Sequence, residues 1–309
     1  PSQYEQYAKN MKSYIEAIDK TRPITVGDNN PGGLANANTT EFRNKVSTVL
    51  AKNGEGLAGA NYSMGAMSGI HNTHPDWKII ATETASPSNS RGIYNTLSQY
   101  NKTGDYQCTA YDTNAVSWGN TARESWWYTI KDDFVSGEFI WTGFDYIGEP
   151  TPWNGTDKGS VSGDKLAVPN SSYFGVIDTA GFEKDSFYFY TSQWREDKKT
   201  LHVVPQSWNA EDLSISGGKV PVYVYSNAAK VELYLNDKLI GTSTRTPITT
   251  AAGHEWATYS NVSNDADQCT AVNESHQWKA QAIQFNVKYA EGTLSAKAYD
   301  ESGNEIKDT

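Results

Sequence analysis

The first two thirds of the chain alternate between helical and strand-like patterns of apolar residues. Helical spacing predicts an amphipathic helix over 2–19, whose apolar stripe consists of Tyr4, Tyr7, Met11, Tyr14, Ile15 and Ile18. Further helices are predicted over 121–135 and 187–194, and short apolar runs predict strands at 24–26, 56–62, 76–82 and 138–142. Strands that alternate with amphipathic helices indicate parallel α/β structure, either an open doubly wound sheet or a closed barrel.

After about residue 197 the apolar residues recur with period two, which is typical of strands. Such alternation covers 201–204, 220–225, 230–235, 283–289 and 293–300. Asn236-Asp237-Lys238 predicts a hairpin turn, and the whole region predicts an immunoglobulin-like β-sandwich. The polar stretch 249–280 lacks a pattern and predicts a long insertion loop. The sequence therefore predicts two domains, 1–196 and 197–309.

Charge and motif content argue against several classes of function. The formal net charge is −10, which disfavours binding to nucleic acid. No apolar run is long enough to span a bilayer, and no glycine-rich nucleotide-binding pattern follows a strand. The two cysteines are far apart, and the five histidines do not cluster with them. His71 and His74 near Asp76 could suggest a metal, but a polar loop before a strand accounts for them better, so the sequence indicates no metal and no cofactor. Aromatic residues make up 12% of the chain, and they suit both sugar rings and ordinary cores.

Parallel α/β folds place ligand-binding groups at the carboxyl ends of strands. Amides and carboxylates bond sugar hydroxyls, and an indole stacks on the C–H face of a sugar ring. At or just after the predicted strand ends stand the six candidates for a sugar site: Asn61, Tyr62, Glu83, Trp141, Asp145 and Tyr146.

Three of these residues have defined candidate roles, each with a structural alternative. Glu83 directly follows an apolar strand and can be a nucleophile if it stays ionised, or a loop glutamate on the surface. Tyr62 can donate a hydrogen bond that holds Glu83 ionised, or it can be a tyrosine at the core edge. Trp141 can be a sugar platform, or it can pack at the rim of the sheet.

Four sequence segments resemble glycoside hydrolase family 2, and most closely its bacterial β-galactosidases. They are TETAS at 82–86, GEFIWTGFDYIGEPTPW at 137–153, SYFGVIDTAGFEKD at 172–185 and LHVVP at 201–205. The resemblance spans about residues 1–300. It implies a (β/α)8 barrel followed by β-sandwich domains, with 1–196 as the C-terminal portion of the barrel, near its fifth to eighth strands.

The resemblance also implies roles for single residues. Glu83 matches the family nucleophile at the end of strand seven, and Tyr62 matches the tyrosine that contacts it from strand six. Trp141 matches the tryptophan beside the sugar, while Asp145 and Tyr146 are weaker candidates for substrate contacts. The implied activity is that of a retaining exo-β-galactosidase acting on terminal β-linked galactose of an oligosaccharide or glycan.

One departure from the family pattern affects the expected activity. The family's acid/base glutamate lies in an Asn-Glu pair upstream of a helix like 2–19, and no such pair precedes that helix here. We therefore expect the proton donor before Pro1, an upstream half of the same enzyme as partner, and an inactive isolated chain. No convincing Asn-x-Lys signature of the β-glucuronidase branch stands near the ends of the predicted parallel strands, which favours a galactosidase. A β-glucuronidase or another family 2 β-glycosidase stays the alternative.

Two other functions stay open on the sequence. The aromatic content, the sandwich and the missing acid also fit a carbohydrate-binding or adhesion module without catalysis. The region 197–309 alone also fits a scaffold that braces the barrel. A sugar substrate suggests a secreted or cell-surface protein.

Overall fold

The computed structural model describes residues 3–35, 42–52, 55–98, 106–151 and 169–307. Pro152 and Trp153, at the end of the longest family motif, lie outside them. The chain divides into two compact units, one made of Pro1–Ala85, Ser125–Trp141 and Thr250–His254, the other of Ser86–Glu124, Thr142–Thr249 and Glu255–Thr309. The predicted boundary at residue 196 stays a prediction.

The first unit is an α/β layer built on a parallel sheet. Its elements are α1 (Gln3–Ile18), β1 (Gly27–Asp28), α2 (Phe42–Leu50), β2 (Leu57–Asn61), α3 (Met67–Thr73), β3 (Lys78–Ala85), α4 (Ala122–Ile130, whose first turn is counted with the second unit) and β4 (Val135–Trp141). The four strands are all parallel, in the order β1-β2-β3-β4. The predicted parallel α/β structure is therefore confirmed, as an open four-stranded sheet within the described residues.

The predicted strand at 24–26 is wrong, because the ladder begins later, at Gly27. The hydroxyl of Thr25 donates a hydrogen bond to the carbonyl of Leu57 at 2.7 Å. In a regular ladder, a backbone amide of the neighbouring strand would bond that carbonyl. The chains nevertheless run close together, since a Cβ on Gly59 would lie 2.2 Å from the Val26 carbonyl oxygen.

One face of the parallel sheet carries the core of the first unit. Small and branched residues of β2 and β3 pack there against α3 and its flanking turns, and the buried members include Ala58, Ala60, Met64, Met67, Ile70, Ile79 and Ala81. Elsewhere in this unit large apolar side chains are open to solvent. On β4, Phe139 is 63% exposed, and on α1, Tyr14 and Ile18 are 70% and 91% exposed. The apolar stripe of α1 is real, but it faces solvent.

The second unit contains two antiparallel sheets. Its elements are α5 (Asp185–Trp194), β5 (Leu201–Val204), β6 (Lys219–Ser226), β7 (Lys230–Leu235), β8 (Lys238–Thr249), β9 (Glu255–Ser263), β10 (Cys269–Ala271), β11 (Ile283–Lys288), β12 (Leu294–Tyr299) and β13 (Glu305–Ile306). The sheet orders are β10-β11-β6-β5 and β13-β12-β7-β8-β9. A shared core that includes Val224 and Phe285 from one sheet and Leu233 and Ile240 from the other makes this a β-sandwich, as predicted.

The hairpin between β7 and β8 turns at the predicted residues. Asn236 and Asp237 have φ angles of 51° and 63°, the left-handed conformation that a two-residue hairpin loop requires. The Asn236 side chain fixes this turn, because it accepts from the Thr293 amide at 2.9 Å and donates to the Glu291 carbonyl at 3.0 Å. The predicted hairpin is therefore confirmed.

The prediction of a long loop over 249–280 is wrong, because β9 and β10 lie in it. β9 pairs with β8 along its whole length. One of its buried positions is polar: Asn261 accepts a hydrogen bond from the buried Ser243 at 2.6 Å. A polar residue on the inner face breaks the alternation that identifies a strand in sequence.

Candidate active site

The candidate site lies at the carboxyl ends of three adjacent parallel strands. Asn61 at the end of β2 is the ladder partner of Glu83 on β3, and Ala85 on β3 is the ladder partner of Trp141 on β4. Tyr62 follows β2 directly. The structure therefore brings four of the six predicted residues to one edge of one sheet.

Glu83 lies inside β3, since the strand continues to Ala85 where the sequence predicts an end at residue 82. The residue is half-buried. Within the described part of the chain, its carboxylate has no hydrogen-bond or ion-pair partner. A carboxylate that is partly open and has no partner in this part of the chain can accept hydrogen bonds from a ligand.

The backbone around Glu83 is held in a sparsely populated conformation. Tyr62, Ala85 and Ser86 have φ angles of 57°, 62° and 63°, although none of them is glycine. The Tyr62 amide donates to the carbonyl of Glu83 at 3.0 Å, which ties the two strand ends together. Such conformations cost about 1–3 kcal/mol each and cluster at functional sites. The contact between the Tyr62 hydroxyl and the Glu83 carboxylate stays a prediction.

Asn61 is fixed by its neighbours on both sides. Its Oδ1 accepts a hydrogen bond from the Thr82 hydroxyl at 2.6 Å. On β1, Gly27 passes so close that a Cβ there would lie 3.2 Å from the same oxygen. The amide group is therefore oriented before any ligand binds, which is what a sugar-hydroxyl contact requires.

Asp145 and Tyr146 belong to the second unit, where both are engaged. Lys184 forms an ion pair with Oδ2 of Asp145 at 2.6 Å, and the Gly175 amide donates to Oδ1 at 2.7 Å. Burial raises the pKa of Asp145 and lowers that of Lys184, and the opposite charge of each partner counters the shift. The Tyr146 hydroxyl donates to Glu149. Both carboxylate oxygens of Asp145 therefore hold neighbouring segments of the second unit together, and its contact with a sugar stays a prediction.

The described residues contain neither a metal-binding cluster nor a membrane-spanning helix. Over these ranges, no cluster of three or more His, Cys, Asp or Glu side chains has the geometry of a metal site. No helix in this part of the chain has the length and apolar character needed to cross a membrane.

Comparison with known proteins identifies relatives with glycosidase names. The β-galactosidase BoGH2A of Bacteroides ovatus is 35% identical over 245 residues, covering 75% of this chain and 25% of that protein. A β-glucuronidase of Formosa agariphila is 28% identical over 180 residues, covering 57% of this chain and 16% of that protein. Residues 217–307 match a family model described as a domain of unknown function, DUF4982.

The fold is shared with a solved glycoside hydrolase. A glycosyl hydrolase family 2 member from Bacteroides cellulosilyticus superposes with a TM-score of 0.58 at 21% identity, covering all of this chain and 32% of that one. This shared fold and the relative of 35% identity together confirm the resemblance to glycoside hydrolase family 2, and the chain is glycosidase-like. It spans about a quarter of the length of the β-galactosidase that it matches.

Proposed function

We propose that this chain is the C-terminal part of the catalytic (β/α)8 barrel of a retaining exo-β-galactosidase, followed by a β-sandwich domain. The observation that carries the proposal is the half-buried carboxylate of Glu83, which has no partner among the described residues and lies at the carboxyl edge of a parallel sheet, beside Tyr62 and Trp141. A β-linked galactoside of an oligosaccharide or glycan is the proposed substrate.

In the proposed mechanism, Glu83 attacks the anomeric carbon as the glycosidic bond breaks, and it forms a covalent glycosyl-enzyme. A second carboxylic acid, about 5–5.5 Å away, protonates the leaving oxygen and then activates the water that releases the sugar. Tyr62 orients the Glu83 carboxylate, and Trp141 stacks on the sugar ring. Asn61 bonds a sugar hydroxyl.

The second carboxylic acid is proposed to come from an upstream half of the same enzyme. In this arrangement β1–β4 are the fifth to eighth strands of the barrel, and the upstream half closes it. Two observations support an upstream half that packs against this unit: Phe139 on β4 and the apolar stripe of α1 are both exposed. General acid–base catalysis contributes about 10²- to 10⁴-fold, so the isolated chain is expected to be inactive.

The preference for galactose over glucuronic acid rests on two points. The relative with the higher identity is named a β-galactosidase, while another is named a β-glucuronidase. No Asn-x-Lys triplet, the signature of the glucuronidase branch, directly follows a strand of the parallel sheet. A secreted or cell-surface location is proposed because glycans are found there.

The proposal is tested with the full-length enzyme that carries this segment. Glu83→Gln is expected to lower kcat for nitrophenyl-β-galactoside by about 10⁴-fold. The same change at the exposed Glu211 is the matched control and should leave kcat unchanged. In Glu83→Ala, azide should restore turnover and yield the α-galactosyl azide. Full activity of Glu83→Gln, or faster hydrolysis of the β-glucuronide by the wild type, would contradict the respective part of the proposal.

A further inference from the structure

Behind the strand that carries Glu83, a buried polar cluster connects β3 and β4 to α4. The Thr84 hydroxyl donates to Oε2 of Glu138 at 3.0 Å, and the Thr129 hydroxyl donates to the same oxygen at 3.2 Å. Thr84 is fully buried and Thr129 is 4% exposed. A single carboxyl oxygen therefore joins the strand of the proposed nucleophile to the neighbouring helix.

A second link reaches the next residue of the same strand. The Ala85 amide donates to the hydroxyl of Ser125 on α4 at 3.0 Å, and Ser125 is fully buried. The Thr129 hydroxyl is also 3.1 Å from the Ser125 carbonyl. The two residues that follow Glu83 are thus both linked to α4, Thr84 through Glu138 and Ala85 directly. Ala85 has a left-handed φ angle.

Glu138 is a costly residue for this position. Its other oxygen, Oε1, is shielded from solvent and has no hydrogen-bond partner among the described residues. Burial raises the pKa of the Glu138 carboxyl to about 7, because the hydrogen bonds from Thr84 and Thr129 offset only part of the desolvation. An apolar side chain would fill the space without this penalty, so packing alone does not account for a carboxyl group here.

We propose that Glu138 is a positioning residue for Glu83. By accepting from Thr84 and Thr129 it fixes the end of β3, and with it the Glu83 carboxylate relative to the anomeric carbon. This inference rests on the proposed function of Glu83. A displacement of about 1 Å in a reacting group can lower the rate about 10²-fold, so a remote hydrogen bond can control turnover.

The test compares two variants of similar length in the full-length enzyme. Glu138→Gln retains an acceptor oxygen for the two threonine hydroxyls, while Glu138→Met has none. We expect Glu138→Met to lower kcat for nitrophenyl-β-galactoside by about 10- to 100-fold, with KM changed less than about 3-fold. Glu138→Gln should stay within about 3-fold of the wild type. Rates are divided by the number of sites titrated with a slow 2-fluoro galactoside, so a loss of folded protein does not count.

A third variant covers the case in which Glu138→Met does not fold. Thr84→Val keeps the shape of the side chain but removes the donor, and its kcat should fall at least 10-fold. Unchanged kcat per titrated site in Glu138→Met or in Thr84→Val overturns the inference, and so does a Glu138→Gln variant as slow as Glu138→Met. Failure of the proposed function is recognised separately, because Glu83→Gln would then remain active.

Discussion

Removing the ammonium group of Lys184 should strongly destabilise the second unit. Its Nζ lies 2.6 Å from Oδ2 of Asp145 and also donates to the carbonyl of Asn89 at 2.8 Å. The side chains of Lys184 and Asp145 are 1% and 8% exposed, so water has little access to either charge. Lys184→Met keeps the length of the side chain and leaves the Asp145 carboxylate with the Gly175 amide as its remaining donor among the described residues.

The expected loss follows from the burial of both charges. Breaking a buried ion pair by removing one partner costs about 3–5 kcal/mol, because the other charge stays desolvated. We expect Lys184→Met to lose about 3–5 kcal/mol in free energy of unfolding. The double variant Lys184→Met/Asp145→Asn should lose less, because the isolated charge is gone while the acceptor for Gly175 remains.

Urea denaturation followed by circular dichroism measures this loss as a lower midpoint at unchanged slope. The control is Lys198→Met, which removes an exposed ammonium and should change the free energy of unfolding by less than about 0.5 kcal/mol. A loss below about 1 kcal/mol in Lys184→Met would refute the reasoning. Additive effects of the two substitutions would refute it as well.

Two further predictions concern the β-sandwich. Desolvation alone would raise the pKa of Glu232, but hydrogen bonds from Tyr234, Lys230 and Tyr299 lower it to about 2. The ionised Glu232 therefore contributes fully to the free energy of unfolding above about pH 4.5, and this contribution is lost as the pH falls towards 2. The melting temperature of Glu232→Gln should therefore lie below that of the wild type at pH 7 and approach it near pH 2; an equal difference at both pH values would contradict this. Asn236→Ala should cost about 2 kcal/mol in urea denaturation, since it forces alanine into a left-handed φ and removes two hydrogen bonds, whereas Asp237→Gly should be neutral or stabilising. Equal stabilities of these two turn variants would contradict the assigned role of the turn.

Periodicity predicts those elements whose buried face is apolar. The sequence predicts β7 at 230–235, and the strand has these bounds because its buried residues Val231, Leu233 and Leu235 alternate strictly. β9 was missed because its buried face includes Asn261, which is satisfied by Ser243. A hydrogen bond between residues 18 positions apart carries no local sequence signal.

The helical stripe of α1 shows a different limit of sequence patterns. The spacing identifies a helix correctly, yet Tyr14 and Ile18 are open to solvent. A pattern reports which face suits burial and does not name the surface that covers it.

The candidate site was predicted in part. Glu83 is predicted from its place at the carboxyl end of a strand and from the TETAS motif. In the structure, the register of the parallel sheet places Asn61 and Trp141 near it. The sequence contains no pattern that predicts three features of the site. These are the left-handed φ angles at non-glycine residues, the buried hydrogen bonds to Glu138, and the ion pair of Asp145. The bond from Thr84 to Glu138 joins residues 54 positions apart, and the ion pair of Asp145 joins residues 39 positions apart.

The most direct test of the account is covalent trapping of the nucleophile in the full-length enzyme. A 2-deoxy-2-fluoro-β-galactoside with a good leaving group should inactivate the enzyme, because the fluorine slows release of the glycosyl-enzyme. Mass spectrometry of the digested protein should then locate a fluorogalactosyl ester on Glu83, and Glu83→Gln should form no adduct. An adduct on any other side chain, or inactivation that leaves Glu83 unmodified, would contradict the central claim.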